Sequence, residues 1–113
     1  MIRKESIKVS GFFVPRTEND AAIRGYVLRG LVRGAAYTRL ATDMWSQLKK
    51  THIASDLDFC RAVHYLAEMG FVEIMDGNTD AFHILETDAA LRLSAKGILF
   101  VETGGNNESG IDL

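Results

Sequence analysis

Lysine and arginine are the residues whose distribution along this chain points most directly to a chemistry. Residues 1–53 contain ten of them against four acids, a net charge of +6, whereas residues 54–113 contain three against eleven, a net charge of −8. Basic groups gathered on one face attract polyanions such as the phosphates of nucleic acids. Two other arrangements would give the same split: solvated faces without a partner, or two copies of the chain packed with opposite charges in contact.

Most of these basic residues fall on two predicted helices, where they would form a phosphate-contacting face. Lys4 and Lys8 would extend that face from the N-terminal arm. Arg61, on a third predicted helix, is placed to contact a guanine edge or a phosphate. The alternative is a solvated helix exterior with no ligand. The candidate DNA-contacting residues are Arg24, Arg29, Arg33, Arg39, Lys49, Lys50 and Arg61.

The other reactive side chains do not form a pattern typical of catalysis or of metal binding. Cys60 is the only cysteine, so no internal disulfide forms, and no neighbouring base is placed to activate its thiol. The histidines at 52, 64 and 83 have no helical i, i+4 spacing, and a glycine-rich phosphate loop is absent. We therefore predict a protein that is not an enzyme, binds no metal or cofactor and works in the reducing cytoplasm.

Four aromatic side chains are candidates for contacts with a partner. Trp45 and Tyr65 would either stack on nucleic-acid bases or fill the core, and their place in predicted helices favours the core. Phe12 and Phe13 are adjacent in a segment that ends at Pro15, and they would cover either this domain's core or the surface of a partner. We predict that these two phenylalanines form the oligomer interface of a homodimer.

The length of 113 residues allows one domain with one core. We predict an N-terminal arm over 1–18, a folded domain over 19–103 and a disordered tail over 104–113, because most of the tail is small or polar. No apolar run approaches the ~20 residues of a membrane span, and the N-terminus does not resemble a secretory signal.

Apolar periodicity and capping residues predict the order of the elements. Gly25 and Gly30 lie inside the first helix, where each costs about 1 kcal/mol relative to alanine, so we expect another backbone to approach closely there. The predicted elements are a helix capped by Asn19 or Asp20 and ending at Gly34, a helix capped by Thr42 and ending at Lys50, a helix capped by Ser55 and ending at Gly70, strands over 71–74, 81–85 and 90–94, and a short helix over 95–101.

Two local segments resemble junctions of the winged helix-turn-helix superfamily. The segment from Tyr65 to Ile74 (YLAEMGFVEI) resembles the junction between the third helix and the wing, where Gly70 takes a left-handed conformation and Phe71 enters the core. The segment from Leu91 to Gly97 (LRLSAKG) resembles the exit of the wing into a closing helix that Ser94 would cap.

The resemblance covers about residues 20–102 and implies an α+β fold with a three-helix core, a β-hairpin wing and a short C-terminal helix. The chain is also similar to small winged-helix proteins of Mu-like prophages in its length, these two segments and its short polar tail. It departs from that pattern in its extra N-terminal arm and in the long span 75–90, which would be either a long wing or an extra strand.

In winged helices that bind DNA, the third helix usually enters the major groove and the wing touches the flanking backbone or minor groove. The outward positions of the third helix hold more acid than base here. The resemblance therefore leaves two hypotheses. The first is a DNA-binding accessory or regulatory protein of phage or prophage type, which contacts double-stranded DNA through its first two helices and arm. The second is a protein-interaction module, an adaptor or oligomerisation domain that binds no DNA. The outward positions are Asp56, Asp58, Arg61, His64 and Glu68.

Overall fold

The computed structural model describes residues 16–113, with side chains from residue 19 onward, so Lys4, Lys8, Phe12 and Phe13 lie outside it. The described residues form helices and a small sheet, which confirms the predicted α+β class. Two short 3₁₀ turns accompany them, at Ala35–Tyr37 and Ala81–His83. The helices are α1 (Arg16–Val32), α2 (Ala41–Thr51), α3 (Asp56–Glu68), α4 (Ile84–Thr87) and α5 (Ala95–Glu102), and the strands are β1 (Thr38–Leu40), β2 (Val72–Ile74) and β3 (Ala90–Leu93).

The described strands form one antiparallel sheet in the order β1-β3-β2. Thr38 of β1 and Val72 of β2 lie opposite Arg92 and Leu93 of β3, respectively. The sequence predicted β2 and β3 but not β1, which is only three residues long and has no buried residue. β1 is a strand because β3 supplies its ladder partner, and this long-range pairing leaves no local pattern in the sequence.

The core lies where α1, α2 and α3 meet the sheet. The apolar stripe of α1 is fully buried, and so are the aliphatic side chains and Phe59 on the inward faces of α2 and α3. Each of these side chains contributes about 1.5–3 kcal/mol on burial, so the core stabilises the helical arrangement strongly. Its fully buried members include Ile23, Val27, Leu28, Leu31, Met44, Leu48, Phe59, Val63 and Leu66.

The starts of the first two helices differ from the prediction. α1 begins at Arg16, before the predicted caps Asn19 and Asp20, because residues 16–18 are themselves compatible with a helix. α2 begins at Ala41, and the predicted cap Thr42 lies inside it. The Thr42 hydroxyl donates to Asp88 instead. Neither correction moves the buried face of its helix.

The two segments that carry the family resemblance are joined directly in the structure. Gly70 has a left-handed φ of +81°, and Phe71 is only 4% exposed, as predicted. Ser94 caps α5, since its Oγ accepts from Gly97 N at 3.0 Å. The same hydroxyl donates to the carbonyl of Gly70 at 2.6 Å, and Ser94 N donates to the carbonyl of Phe71 at 2.9 Å. The exit of α3 and the start of α5 therefore form one hydrogen-bonded corner.

The strand predicted over 81–85 is wrong. Ala81 and Ile84 are buried while Phe82 and His83 are exposed, which is a helical spacing and not a two-residue alternation. Asp80 caps the 3₁₀ turn there, since its carboxylate accepts from Phe82 N at 2.9 Å. The span 75–90 is therefore neither a long wing nor an extra strand; it is a helical excursion between β2 and β3, whose 3₁₀ turn packs beside α3 and whose α4 contacts α2.

The segment 104–113 packs along α1, where the sequence predicted a disordered tail. Ile111 is 9% exposed and belongs to the core, and Asp112 N donates to the carbonyl of Ala21 at 3.0 Å. Gly25 permits this approach, because a Cβ on it would lie 1.8 Å from the Asp112 carbonyl oxygen. The expectation of a close backbone is thus confirmed at Gly25. We name residues 105–113 the C-terminal strap.

Candidate nucleic-acid interface

Three of the predicted basic residues converge on one surface cavity. The cavity has a volume of about 270 Å³ and is lined by Arg29, Arg33, Arg39, Tyr26 and Gly30. Arg29 comes from the last turn of α1, and Arg33 follows directly after the helix ends at Val32. Arg39 reaches the cavity from β1. We name Arg29, Arg33 and Arg39 the arginine cluster.

Two members of the arginine cluster are held by contacts with neighbouring residues, and the third is exposed. Arg39 Nε donates to Asp43 Oδ2 at 3.0 Å, which ties β1 to the first turn of α2. Arg29 Nη1 donates to the carbonyl of Asp112 at 3.2 Å and so touches the C-terminal strap. Arg33 is exposed just beyond the last residue of α1. The cluster therefore offers at least one open guanidinium beside two that are anchored.

Gly30 is part of the cavity for a steric reason. A Cβ on Gly30 would lie 2.8 Å from Met44 Cε and 3.3 Å from Arg39 Nη1. The missing side chain thus lets α1 approach α2 and leaves room for the Arg39 guanidinium. A side chain, and not a backbone as the sequence predicted, makes the close approach at this glycine.

The lysines predicted as part of the same face lie elsewhere. Lys49 and Lys50 are exposed at the C-terminal end of α2. They follow Ala41, the first residue of α2, by eight and nine residues, which places them about 12–14 Å along the helix axis from its start. Lys49 Nζ lies 5.7 Å from the centre of the Trp45 ring. A ligand that contacts both the lysines and the arginine cluster must therefore be extended.

Arg24 and Arg61 serve contacts inside the protein. The Arg24 guanidinium lies 3.7 Å above the Tyr65 ring and donates to the carbonyl of Gly110 at 2.9 Å. Arg61 joins α3 to α1 through Asp20 at 2.8 Å, and it also pairs with Asp58 at 3.1 Å. The structure therefore gives both arginines a structural role and does not bring them into the cluster.

The outward face of α3 carries little positive charge. Ser55 and Asp58 form the predicted capping box, with their reciprocal hydrogen bonds at 3.1 and 3.0 Å, so Asp58 serves the start of the helix. The His64 ring packs 5.3 Å from the ring of Phe82, which comes from the excursion between β2 and β3. The helix that resembles a DNA reader is thus acidic and partly flanked by another segment.

A second cavity lies between α3 and that excursion, and no local sequence pattern predicts it, because it depends on residues 81–87 being helical. Its volume is about 190 Å³. Burial, followed by the charges of nearby acids, raises the pKa of the Cys60 thiol, which keeps the thiol protonated and a poor nucleophile. We name this cavity the α3 groove; it is lined by Asp56, Leu57, Cys60, Phe82, Leu85 and Glu86.

The two aromatic side chains weighed as base-stacking groups pack against the protein. Trp45 is partly buried and lies 6.0 Å from Phe59, ring centre to ring centre. Tyr65 is covered on one face by Arg24, and its hydroxyl donates to the carbonyl of Ser109. Both residues therefore belong to the packed structure.

Comparison with protein-family models, curated proteins and solved structures finds no match to this chain. Within residues 16–113, no helix is long and apolar enough to cross a membrane. In the same residues, no three histidine, cysteine or acidic side chains come together in a way that would hold a metal ion.

Proposed function

We propose that the chain is a winged-helix accessory protein of phage or prophage type that binds duplex DNA through the phosphate backbone. The order α1, β1, α2, α3, β2, β3 and α5, with β3 in the middle of the sheet, supports a winged helix in which a helical excursion containing α4 is inserted between β2 and β3. The corner formed by Gly70 and Ser94 fits the same family pattern. Fold alone does not specify a function, so the proposal depends on the site.

The observation that carries the proposal is the convergence of Arg29, Arg33 and Arg39 on one open cavity. Guanidinium groups donate in a planar fork that matches phosphate oxygens, and they stay charged at any physiological pH. Three of them around one cavity create a local positive potential on a chain whose net charge is −2. Lys49 and Lys50 would contact the same backbone further along the duplex.

This mode of binding differs from the usual one, in which α3 reads bases in the major groove. Arg61 is committed to Asp20 and Asp58, and the exposed acids of α3 would repel phosphates. Contacts from the arginine cluster would go to the backbone and carry no sequence information. We therefore expect binding that is strongly salt-dependent and nearly the same for different DNA sequences.

The test is a fluorescence-anisotropy titration of a labelled duplex with the full chain at about 50 mM and about 200 mM salt. We expect binding at the lower salt concentration and substantial loss at the higher one. Replacing Arg33 with alanine should weaken binding and make the slope of log K against log salt shallower by about 0.9, the value for one lost phosphate contact.

Arg92→Ala is the matched control. Arg92 is an exposed arginine that pairs with Glu73 on the sheet, with Nε to Oε1 at 2.9 Å, and it does not line the cavity. Its removal should leave the slope unchanged. No binding at about 50 mM salt, or equal effects of Arg33→Ala and Arg92→Ala, would reject the arginine cluster as the contact surface.

A second candidate is a protein-interaction module that binds no DNA, and exposed apolar side chains favour it. Ile53, Leu57 and Phe82 are 92%, 54% and 45% exposed, and all three lie at or near the start of α3 or on the flanking excursion. Light scattering over a concentration series would test self-association of the full chain, including the homodimer. A monomer at every concentration, together with DNA binding, would favour the first proposal.

A further inference from the structure

We propose that the chain's own residues 1–15 cover the α3 groove in the same molecule. The groove needs a cover because Leu57 and Phe82 remain largely exposed beside it. Exposed apolar patches of this kind usually mark a contact with another segment or partner. The proposal concerns a different surface from the arginine cluster, so it stands or falls independently of DNA binding.

The chemistry of the groove defines what would bind there. Leu57, Phe82 and Leu85 supply apolar surface, and the carboxylates of Asp56 and Glu86 stand at its rim. Among the side chains that the structure describes, those of residues 19–113, no lysine or arginine lines this cavity. A complementary segment would therefore present apolar anchors together with positive charge.

Residues 1–15 have this composition. The segment contains three basic residues against the single acid Glu5, and nearly half of it is apolar. Phe12 and Phe13 are its largest side chains, and aromatic anchors of this kind dominate binding in small apolar pockets. The apolar and basic members are Met1, Ile2, Arg3, Lys4, Ile7, Lys8, Val9, Phe12, Phe13 and Val14.

The position of α1 brings this segment to the start of α3. α1 begins at Arg16, and three residues later Asn19 Nδ2 donates to the carbonyl of Ile53 at 3.1 Å. Ile53 lies just before α3, whose first residue, Asp56, lines the groove. An extended chain spans about 3.3–3.6 Å per residue, so Phe13 has a reach of about 10 Å from Arg16. The segment therefore starts beside Ile53, three residues before the groove-lining Asp56, and the proposal extends it from there over the groove without a second copy.

Cys60 provides a built-in reporter for the test. It is the only cysteine of the chain and it lines the groove, so the rate of its reaction with a disulfide reagent such as DTNB reports access to that cavity alone. In the full chain, the double substitution Phe12→Ser/Phe13→Ser should raise the rate about tenfold, because two apolar anchors are lost. Lys4→Glu/Lys8→Glu should also raise it at low salt, since it weakens the attraction to the acids.

Leu99→Ser is the matched control, because Leu99 is 61% exposed on α5 and does not line the groove. In the Leu99→Ser variant, Cys60 should react with DTNB at the same rate as in the original chain. The proposal is overturned if Phe12→Ser/Phe13→Ser leaves the DTNB reaction rate of Cys60 unchanged. It is also overturned if the rate rises only because the double variant has a lower urea midpoint of unfolding. Light scattering shows whether the segment comes from the same molecule or from a second copy. If the double variant reacts faster and also has a lower molecular mass in solution, a second copy supplies the segment, and the assignment to the same molecule is overturned. A faster rate with unchanged mass and unchanged midpoint supports it.

Discussion

Replacing Gly25 with alanine should destabilise this protein, although alanine is the better helix former. In an open helix the change would stabilise by about 1 kcal/mol. Here a Cβ on Gly25 would lie 1.8 Å from the carbonyl oxygen of Asp112 and 2.7 Å from its carbonyl carbon. Because both obstacles are backbone atoms, the C-terminal strap must move away from α1.

The cost follows from the contacts that the strap loses. Ile111 is 9% exposed, and the burial of an isoleucine contributes about 1.5–3 kcal/mol. The hydrogen bond from Asp112 N to the Ala21 carbonyl contributes about 0.5–1.5 kcal/mol more. Set against the gain in helix propensity, these losses predict a net destabilisation of about 1–3 kcal/mol.

Urea unfolding of the full chain, followed by circular dichroism, measures this free energy. Gly77→Ala is the matched control, because a Cβ on Gly77 has no neighbour within 4 Å, and it should be neutral or slightly stabilising. Ile111→Ala should cost much less in the Gly25→Ala background than in the original chain, since the strap has already left. A Gly25→Ala chain that is about 1 kcal/mol more stable than the original would refute the described packing of the strap.

Three further perturbations test other contacts. Ser94→Ala should lower the stability by about 1 kcal/mol in urea unfolding, because it removes the cap of α5; Ser94→Asp should restore part of it. A double-mutant cycle of Arg61→Ala and Asp20→Asn should give a coupling of about 0.5–1 kcal/mol, and no coupling would contradict the bridge between α1 and α3. The hydrogen bond that His83 Nδ1–H donates to the Asp80 carboxylate, and then the charge of Asp80, raise the pKa of His83 above its ordinary value, so Asp80→Asn should lower that pKa in an NMR titration. The pair therefore stabilises the fold at mildly acidic pH, where His83 is protonated and Asp80 is ionised; the contribution is lost as the pH rises through the raised pKa of His83, and again as it falls through the lowered pKa of Asp80.

The fold was predictable where its signals are local. The capping box at Ser55, the left-handed Gly70 and the cap at Ser94 each depend on residues within a few positions, and the structure has all three. β1 and the helical excursion were missed for the opposite reason. β1 exists because β3 pairs with it, and residues 81–85 are helical because Ala81 and Ile84 are buried where the excursion packs on α3 and α2.

The sequence predicted which basic residues could form the candidate site, but it did not predict which of them lie together in the fold. The sequence singled out seven basic residues, but it could not show which would be used inside the protein. Arg24 is taken by Tyr65 and the strap, and Arg61 by α1, because those partners are distant in the sequence. Only Arg29, Arg33 and Arg39 meet at one cavity. Gly25 was the one residue that hinted at the strap, since its cost in a helix requires a compensating contact.

The C-terminal strap also has a consequence for the rates of folding and unfolding. The hydrogen bond from Arg24 to the Gly110 carbonyl of the strap joins residues 86 positions apart. Forming this contact closes a loop of nearly the whole domain and therefore costs a large loss of chain entropy. We expect the strap to dock after the transition state has formed. Gly25→Ala should then leave the refolding rate nearly unchanged and accelerate unfolding, by about tenfold for each 1.4 kcal/mol lost. The strap would therefore set the unfolding rate, and with it the lifetime of the native state, and would have little effect on the folding rate.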